Sequence, residues 1–217
     1  MDLRNDRSNQ DDRGEEEFRL GDAKLTVKNV FNEDWLNAAF YRAKVDVSRT
    51  ETIKSAFLIN YDRPAVADSA ANWISQNRRA SNIQLFGDWD KKVHYHLAVG
   101  DGLNGSSFRD ALGGRAAEID GQSSPMFGGK IRFSPFDGWE EVKRTETYFG
   151  EGQHFSFGVG QFYLDSINLT PADGADNVNI DRSLTNFEFS AHKGGAFIQA
   201  EYFDFDGAVE DLSLIHI

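Results

Sequence analysis

The sequence has no cysteine, only 4 prolines in 217 residues, and no long apolar run. Without cysteine there is no disulfide framework, no thiolate metal site and no cysteine nucleophile. A membrane-spanning helix needs about 18 or more consecutive apolar residues, so the sequence excludes one. It does not exclude membrane-spanning strands, because these alternate apolar and polar residues and keep the hydropathy low.

Positive charge is also scarce. The chain has 23 Lys and Arg residues against 35 Asp and Glu residues, a net charge of −12. A nucleic-acid-binding protein needs a basic face, so we expect no nucleic-acid partner. The hydrophobic fraction of 40% predicts an ordered structure.

The two ends differ in composition from the middle. Residues 1–17 carry seven acids, three arginines and no apolar stretch of the kind that a secretory signal needs. We expect this acidic segment to be disordered and the export signal to be missing from the chain. Alternation stops after Asp206, and residues 207–217 look foreign to the rest. The predicted folded unit is therefore 18–206, part of a longer protein.

A period of two runs through most of the chain, which is typical of β-strands. It predicts nine strands, at 23–31, 39–47, 53–61, 82–89, 92–99, 129–134, 155–159, 184–192 and 196–206, and a tenth at 142–149. A short helix or folded-in loop is expected at 65–81. Short turns at 32–34, 90–91 and 135–139 alternate with long loops at 63–81, 101–126 and 165–183. Such an asymmetry favours an outer-membrane barrel.

Each predicted strand has an apolar and a polar face. In 92–99, for example, Val93, Tyr95, Leu97 and Val99 alternate with polar residues and Ala98. The apolar face would contact lipid in a membrane barrel and a protein core in a soluble all-β binding protein, which is the alternative. Aromatic residues near the segment ends suit the interfacial girdles of a barrel; they are Trp35, Tyr61, Trp89, Phe127, Phe136, Trp139, Tyr163 and Phe203.

Five stretches resemble the phosphate-selective porin O/P family: RASNIQLFGDW at 79–89, VHYHLAVGDG at 93–102, GKIRFSPF at 129–136, FSFGVG at 155–160 and FIQAEY at 197–202. The resemblance runs from about residue 18 to 206. It implies an all-β, antiparallel transmembrane β-barrel of sixteen strands, of which about nine or ten are present. It also implies a homotrimeric porin of the Gram-negative outer membrane, which contacts lipid and lipopolysaccharide and passes small anions such as phosphate without catalysis or a cofactor.

The charges on the polar face agree with anion passage. Its predicted acids are Asp46, Asp88, Glu188 and Glu201, and its predicted basic residues are Lys24, Lys28, Arg42, Lys44, Lys54, Lys92, Lys130 and Arg132. The face would carry a net +4, and a pore lined by cations favours anions. We therefore expect these eight residues to line the pore.

A long loop folds into the pore in the family that the chain resembles. Arg63, Arg78 and Arg79 are the candidates for this constriction, because the planar guanidinium matches phosphate oxygens. Arg109 and Arg115, in the loop predicted at 101–126, are alternatives.

One catalytic alternative is a metal-dependent β-barrel enzyme. His94 and His96 lie on the same strand face at a spacing that metal sites use, with His154, His192 or a carboxylate as the third ligand. Histidine pairs on a polar strand face are more often simply solvated than bound to a metal, so we expect no metal, no catalytic residues and no cofactor.

Overall fold

The protein has an all-β fold, and the residues that the computed structural model describes form one antiparallel sheet with two short α-helices and a 3-10 turn at Val30–Asn32. The structure describes residues 23–33, 35–53, 58, 63–75, 79–103, 107–112, 115–119, 123–136, 153–171, 178–207 and 212–216. Its strands are β1 (Ala23–Val27), β2 (Asn37–Lys44), β3 (Arg79–Trp89), β4 (Val93–Gly100), β5 (Ser107–Leu112), β6 (Arg115–Ile119), β7 (Met126–Phe133), β8 (Gln153–Pro171), β9 (Val178–Lys193), β10 (Ala196–Asp206) and β11 (Leu212–His216). Helices α1 (Arg49–Thr52) and α2 (Ala65–Ile74) lie between β2 and β3. Neither has the length and hydropathy of a membrane-crossing helix.

The strands follow the order β1-β2-β3-β4-β7-β8-β9-β10-β11, and the hairpin of β5 and β6 branches off at β8. Within the described part of the chain, β1, β11 and β5 each pair with one neighbour, so both ends of the main strand order and the branching hairpin are open edges. The predicted all-β, antiparallel class is confirmed, and closure into a barrel remains a prediction.

The connections differ between the two ends of the sheet. At one end, residues 90–92 join β3 to β4 and residues 194–195 join β9 to β10. Both hairpin turns need positive φ, and the second meets this need with Gly194 and Gly195, at φ 55° and 85°. At the other end the chain makes its long excursions, 45–78 and 101–125. The predicted asymmetry between turns and loops is present only in part, because residues 134–152 join β7 to β8 at the turn end, where a short turn at 135–139 is predicted.

Most of the predicted strands form. The faces predicted for β3, β4, β7, β8, β9 and β10 are confirmed, as is a helix in 65–81. The loop predicted at 101–126 contains β5 and β6, and β8 and β9 extend through most of the loop predicted at 165–183. Residues 212–216, which we excluded from the fold, pair with β10.

Some predictions cannot be compared with the structure. The acidic segment 1–17, the tenth strand at 142–149 and most of the strand predicted at 53–61 lie outside the described residues. Ile53, the first residue of the strand predicted at 53–61, is the C-cap of α1.

The two faces of the sheet differ in their exposure. On the apolar face Leu97 is 59% exposed, Ile131 55% and Phe187 50%. On the opposite, polar face Lys130 and Glu188 are buried. Charged side chains are buried only where they are paired with opposite charges. The burial of Lys130 and Glu188 therefore requires a chain segment that excludes water from the polar face and side chains that balance the two charges.

The polar face is covered by residues 45–53 and 63–75, here called the covering segment. Val45 and Val47 are buried within it. The apolar side of α2 packs on the loop end of β8, β9 and β10, where the sheet itself turns apolar. This small core contains Ala70, Ala71, Trp73, Ile74, Phe162, Leu184, Phe203 and Phe205. Apolar packing thus holds α2 and also includes Val45 and Val47, while charged contacts add to the attachment of residues 45–53.

Candidate functional site

Four charged side chains join the covering segment to the sheet; three are buried and Asp46 is partly exposed. Lys130 Nζ donates to Glu188 Oε2 at 2.8 Å, to Asn186 Oδ1 at 2.6 Å and to the Val47 carbonyl at 3.0 Å. Arg132 donates from both terminal nitrogens to the Asp46 carboxylate, at 2.7 Å each, and from Nε to Glu188. This bidentate geometry is the strong form of an Arg–carboxylate contact. Lys130, Arg132, Glu188 and Asp46 are called the charge cluster below.

A glycine makes the charge cluster possible. Arg132 on β7 and Glu188 on β9 are two strands apart, about 10 Å between backbones, and both pair with Gly158 on the intervening β8. A Cβ at Gly158 would lie 3.0 Å from the Cγ atoms of both charged residues. The missing side chain therefore leaves the space in which the ion pair crosses β8.

Glu201 on β10 forms a second anchor. Its carboxylate accepts hydrogen bonds from the Ser48 hydroxyl at 3.1 Å and from the backbone N–H groups of Arg49 and Thr50, at 2.7 and 3.2 Å. Next to it, Gln199 Nε2 donates to Thr50 Oγ1 at 2.6 Å. The buried carboxylate satisfies backbone donors that α1 cannot satisfy itself.

Trp73 anchors α2. Its ring meets Phe205 edge-on, with centroids 5.3 Å apart, and its Nε1 donates to the Ser183 carbonyl at 3.0 Å. The Arg182 guanidinium lies 3.8 Å from the centre of the same ring and donates to the Trp73 carbonyl at 3.3 Å. The apolar and the charged contacts of α2 thus converge on one side chain.

Of the predicted constriction residues, Arg63 belongs to the covering segment. Its Nη2 donates to the Ile53 carbonyl at 2.6 Å, and its Nε lies 3.6 Å from Glu51 Oε2. The Glu51 carboxylate also pairs with Lys44. Arg79 lies in β3, and Arg109 and Arg115 lie in β5 and β6. The side chains of these three and the whole of Arg78 lie outside the described part. Whether any of these arginines forms the constriction remains a prediction.

The eight basic residues predicted to line the pore differ in their position in the sheet and in their exposure. Lys24 is exposed on the polar face, whereas Lys130 and Arg132 are buried there in the charge cluster. Lys28 and Lys92 are exposed in connections, and Lys92 lies 3.5 Å from Asp90. Lys54 lies outside the described residues.

The face predicted for Arg42 is wrong, because in the register of β2 it lies beside Ala23 and Ser81 on the apolar face. Lys44, the last residue of β2, shares that parity, but its Nζ donates to the Glu51 carbonyl of the covering segment at 3.1 Å. The chain leaves the sheet after Lys44, so Val45 and Val47 do not belong to the alternation that we extended through them. With the strand phase corrected, Tyr41 faces the polar side in place of Arg42.

The histidines contact carboxylates or each other. His94 Nδ1 lies 2.9 Å from Asp88 Oδ1, and His96 Nδ1 is 3.9 Å from Asp46 Oδ2. The rings of His154 and His192 stack with centroids 5.8 Å apart. No group of three or more His, Asp or Glu side chains in the described part could hold a metal ion, so the hypothesis of a metal site at His94 and His96 finds no third ligand there.

Sequence reasoning missed the role of several residues. It counted Asp46, Glu188 and Glu201 as pore acids, and it did not single out Arg182 or Arg49. Phe203 was assigned to an interfacial girdle, yet it is fully buried in the core beneath α2. The sequence signal for this core was the end of β10, where Tyr202, Phe203 and Phe205 place aromatic residues on both faces of the strand. A strand with aromatic residues on both faces needs a cover on each.

Comparisons of the chain with known protein families, curated proteins and solved structures identify no relative. Chemically, the site is a network of buried ion pairs that fixes a chain segment over a polar sheet surface.

Proposed function

We propose that the chain forms part of the wall of a water-filled pore in a bacterial outer membrane, through which small anions such as phosphate diffuse passively. The observation that carries this proposal is the inverted burial of the sheet, in which the apolar face is exposed and most of the polar face is buried. A soluble sheet with one covered face has the opposite arrangement. In a membrane pore, lipid contacts the apolar face and water the polar one. Because strand edges in lipid must be paired, β1 and β11 require partner strands there.

The slope of the apolar band supports a tilted crossing. On β3 the apolar face begins at Ile83, after the polar Ser81. On β9 the position level with Ile83 is Ser183, and the apolar residues begin four residues further along, at Phe187. Four strand spacings of about 4.8 Å and four residues of about 3.3 Å correspond to a slope of about 35°. Strands of outer-membrane barrels tilt by about 35–45°.

Exposed aromatic residues lie near both limits of this band. Phe127 and Tyr163 stack at the loop end, with ring centroids 5.2 Å apart. Trp89 and Phe136 are 75% and 73% exposed at the turn end. Aromatic girdles at both interfaces are typical of membrane barrels.

The anion preference depends on Lys24. The strands place four cations on the polar face, Lys24, Lys130, Arg132 and Arg182, against three carboxylates, Asp88, Glu188 and Glu201, a net charge of +1 in the described part. The predicted +4 is too high, because it counted Arg42 and Lys44 and residues in connections. Lys24 is the exposed one of the four, and its Nζ lies 4.9 Å from the centre of the Phe86 ring.

Replacing Ile131 with arginine tests which solvent meets the apolar face. In phospholipid vesicles we expect the free energy of unfolding to fall by about 2–4 kcal/mol, the cost of arginine near the bilayer midplane on the lipid face of a barrel. Urea unfolding followed by tryptophan fluorescence measures it. Gln153→Arg is the control, because Gln153 is exposed on the same face beyond the end of the apolar band. A change within about 0.5 kcal/mol for both variants is what an exposed site in water would show, and it would favour the soluble all-β alternative.

Replacing Lys24 with glutamine tests the choice of anion. We expect the anion-to-cation permeability ratio to fall about two- to fivefold, because one unit charge facing the water path is removed. The reversal potential of the reconstituted protein in a salt gradient measures this ratio. Lys193→Gln, which removes an exposed cation from the opposite face, should leave the potential unchanged. Equal potentials for the parent and both variants would contradict an anion path along Lys24.

A further inference from the structure

The apolar face has a hollow of about 540 Å³ at the turn end of β8, β9 and β10. The small side chain of Ala191 forms its floor, and the larger side chains of Phe155 and Ile198 lie on either side, because the three residues pair in one line across the strands. Phe136 extends the wall beside Phe155, with ring centroids 6.0 Å apart. The hollow is therefore an apolar slot that opens to the outside of the sheet.

A polar rim borders the hollow on the side of the turns. The next line across the strands is formed by Gln153, Lys193 and Ala196, and all three line the hollow. Among the described residues that line it, Lys193 is the only lysine or arginine, and none is aspartate or glutamate. Gln153 and Lys193 are both exposed. The rim thus offers one positive charge and one amide, with no carboxylate beside them in the described part of the chain.

The place of the hollow in the sheet indicates what meets it. In outer-membrane barrels the short turns lie on the periplasmic side, and the leaflet of the outer membrane on that side consists of glycerophospholipids. The slot then lies at the level of the acyl chains, and the rim lies at the level of the headgroups. The order of apolar slot and cationic rim is the order of acyl chain and phosphate in such a lipid.

We propose that this hollow binds an anionic glycerophospholipid of the phosphatidylglycerol type, an inference that rests on the proposed membrane location. One acyl chain lies over Ala191, between Phe155 and Ile198. Lys193 donates to the lipid phosphate, and the Gln153 amide bonds to the headgroup hydroxyls. Phosphatidylethanolamine is disfavoured, because its ammonium group meets the like charge of Lys193 and no carboxylate among the described residues of the rim.

Lipid titration of the detergent-solubilised full chain, followed by native mass spectrometry, tests the rim. With matched acyl chains, we expect phosphatidylglycerol to bind about three- to fivefold more tightly than phosphatidylethanolamine, the factor for one exposed ion pair. Lys193→Gln should remove this preference. Lys91→Gln, which removes an exposed cation from the turn between β3 and β4 at the same end of the sheet, is the control and should retain it.

Replacing Ala191 with leucine tests the slot. The larger side chain fills the floor between Phe155 and Ile198, so the affinity for both lipids should fall about tenfold, the effect of losing about two buried methylene groups. Ala200→Leu is the matched control, because Ala200 lies on the same face of β10 but does not line the hollow. It should leave both affinities unchanged.

Equal affinity of the parent for the two lipids, a preference that persists in Lys193→Gln, or equal effects of Ala191→Leu and Ala200→Leu would overturn the proposal. Solute flux through vesicles that contain the parent separates this site from the pore. Absent flux combined with a preference for phosphatidylglycerol that depends on Lys193 would contradict the pore and support the lipid site. Normal flux without that preference would overturn the lipid site alone.

Discussion

Replacing Glu188 with alanine is expected to lower the free energy of unfolding by about 3–5 kcal/mol, the cost of removing one partner of a buried ion pair. Glu188 accepts from Lys130 at 2.8 Å and also from Arg132, and both cations are almost fully buried. Without this carboxylate, Asp46 remains as the nearest anion for two cations, and Lys130 keeps only neutral acceptors. Urea unfolding monitored by tryptophan fluorescence measures the change.

A surface ion pair provides the matched control for Glu188. Asp90 lies 3.5 Å from Lys92 in the exposed turn between β3 and β4. Its replacement by alanine should cost less than about 1 kcal/mol. If Glu188→Ala does not fold, the double variant Lys130→Met with Glu188→Leu remains informative, because removing both partners of a buried pair is often neutral. Equal losses for Asp90→Ala and Glu188→Ala, or a double variant that fails as badly as Glu188→Ala, would contradict a structural role for this pairing.

The sequence predicts the faces of most strands because alternation is a local property. In β4 every second side chain is apolar over the full strand, in β7 Ile131 and Phe133 alternate with Lys130 and Arg132, and the structure confirms both phases. The same rule fails in β2. Val45 and Val47 continue the alternation of the strand, yet they are buried in the covering segment after the chain has left the sheet. A local pattern cannot distinguish a residue that contacts lipid from one that packs in a core.

The charge cluster could not be predicted for a related reason. Lys130 and Arg132 were correctly placed on the polar face, but whether a cation there meets water or a carboxylate depends on Asp46, which is 86 residues away from Arg132 in sequence. Two features that depend on residues distant in sequence create the cluster. One is the register of β7 and β9 on either side of Gly158, and the other is the position of residues 45–53 over the same part of the sheet. The sequence therefore predicts which residues lie on the polar face better than it predicts whether their charges meet water or are paired.

The covering segment bears directly on the proposed pore, because it occupies the side of the sheet along which water would pass. Its two attachments are of different kinds. The charge cluster and Glu201 hold residues 45–53, of which Val45 and Val47 also join the core, while the contacts of Trp73 with Phe205 and Arg182 hold α2. If the attachments are independent, α2 can be released while α1 and the sheet stay in place, and the effect on flux can then be assigned to α2 alone.

Replacing Trp73 with alanine is expected to release α2 from the sheet, at a cost of about 3–5 kcal/mol for a buried tryptophan. The substitution removes the edge-on contact with Phe205, the hydrogen bond to Ser183 and the ring beneath Arg182. Hydrogen exchange of the backbone amides in Ala65–Ile74 should accelerate, while exchange in β8 and β9 stays slow, because their ladder does not depend on the helix. Solute flux should rise, since the released helix no longer covers the polar face.

Asn72→Ala is the control for the release of α2, because it changes the adjacent residue of the same helix but an exposed one. It should alter neither exchange nor flux. Accelerated exchange in β8 and β9 as well as in α2 would mean that helix and sheet unfold as one unit and would contradict independent attachment. Accelerated exchange in α2 with unchanged flux would mean that the water path does not run beneath this helix, and the exposed part of the polar face on β1, around Lys24, would be its remaining course.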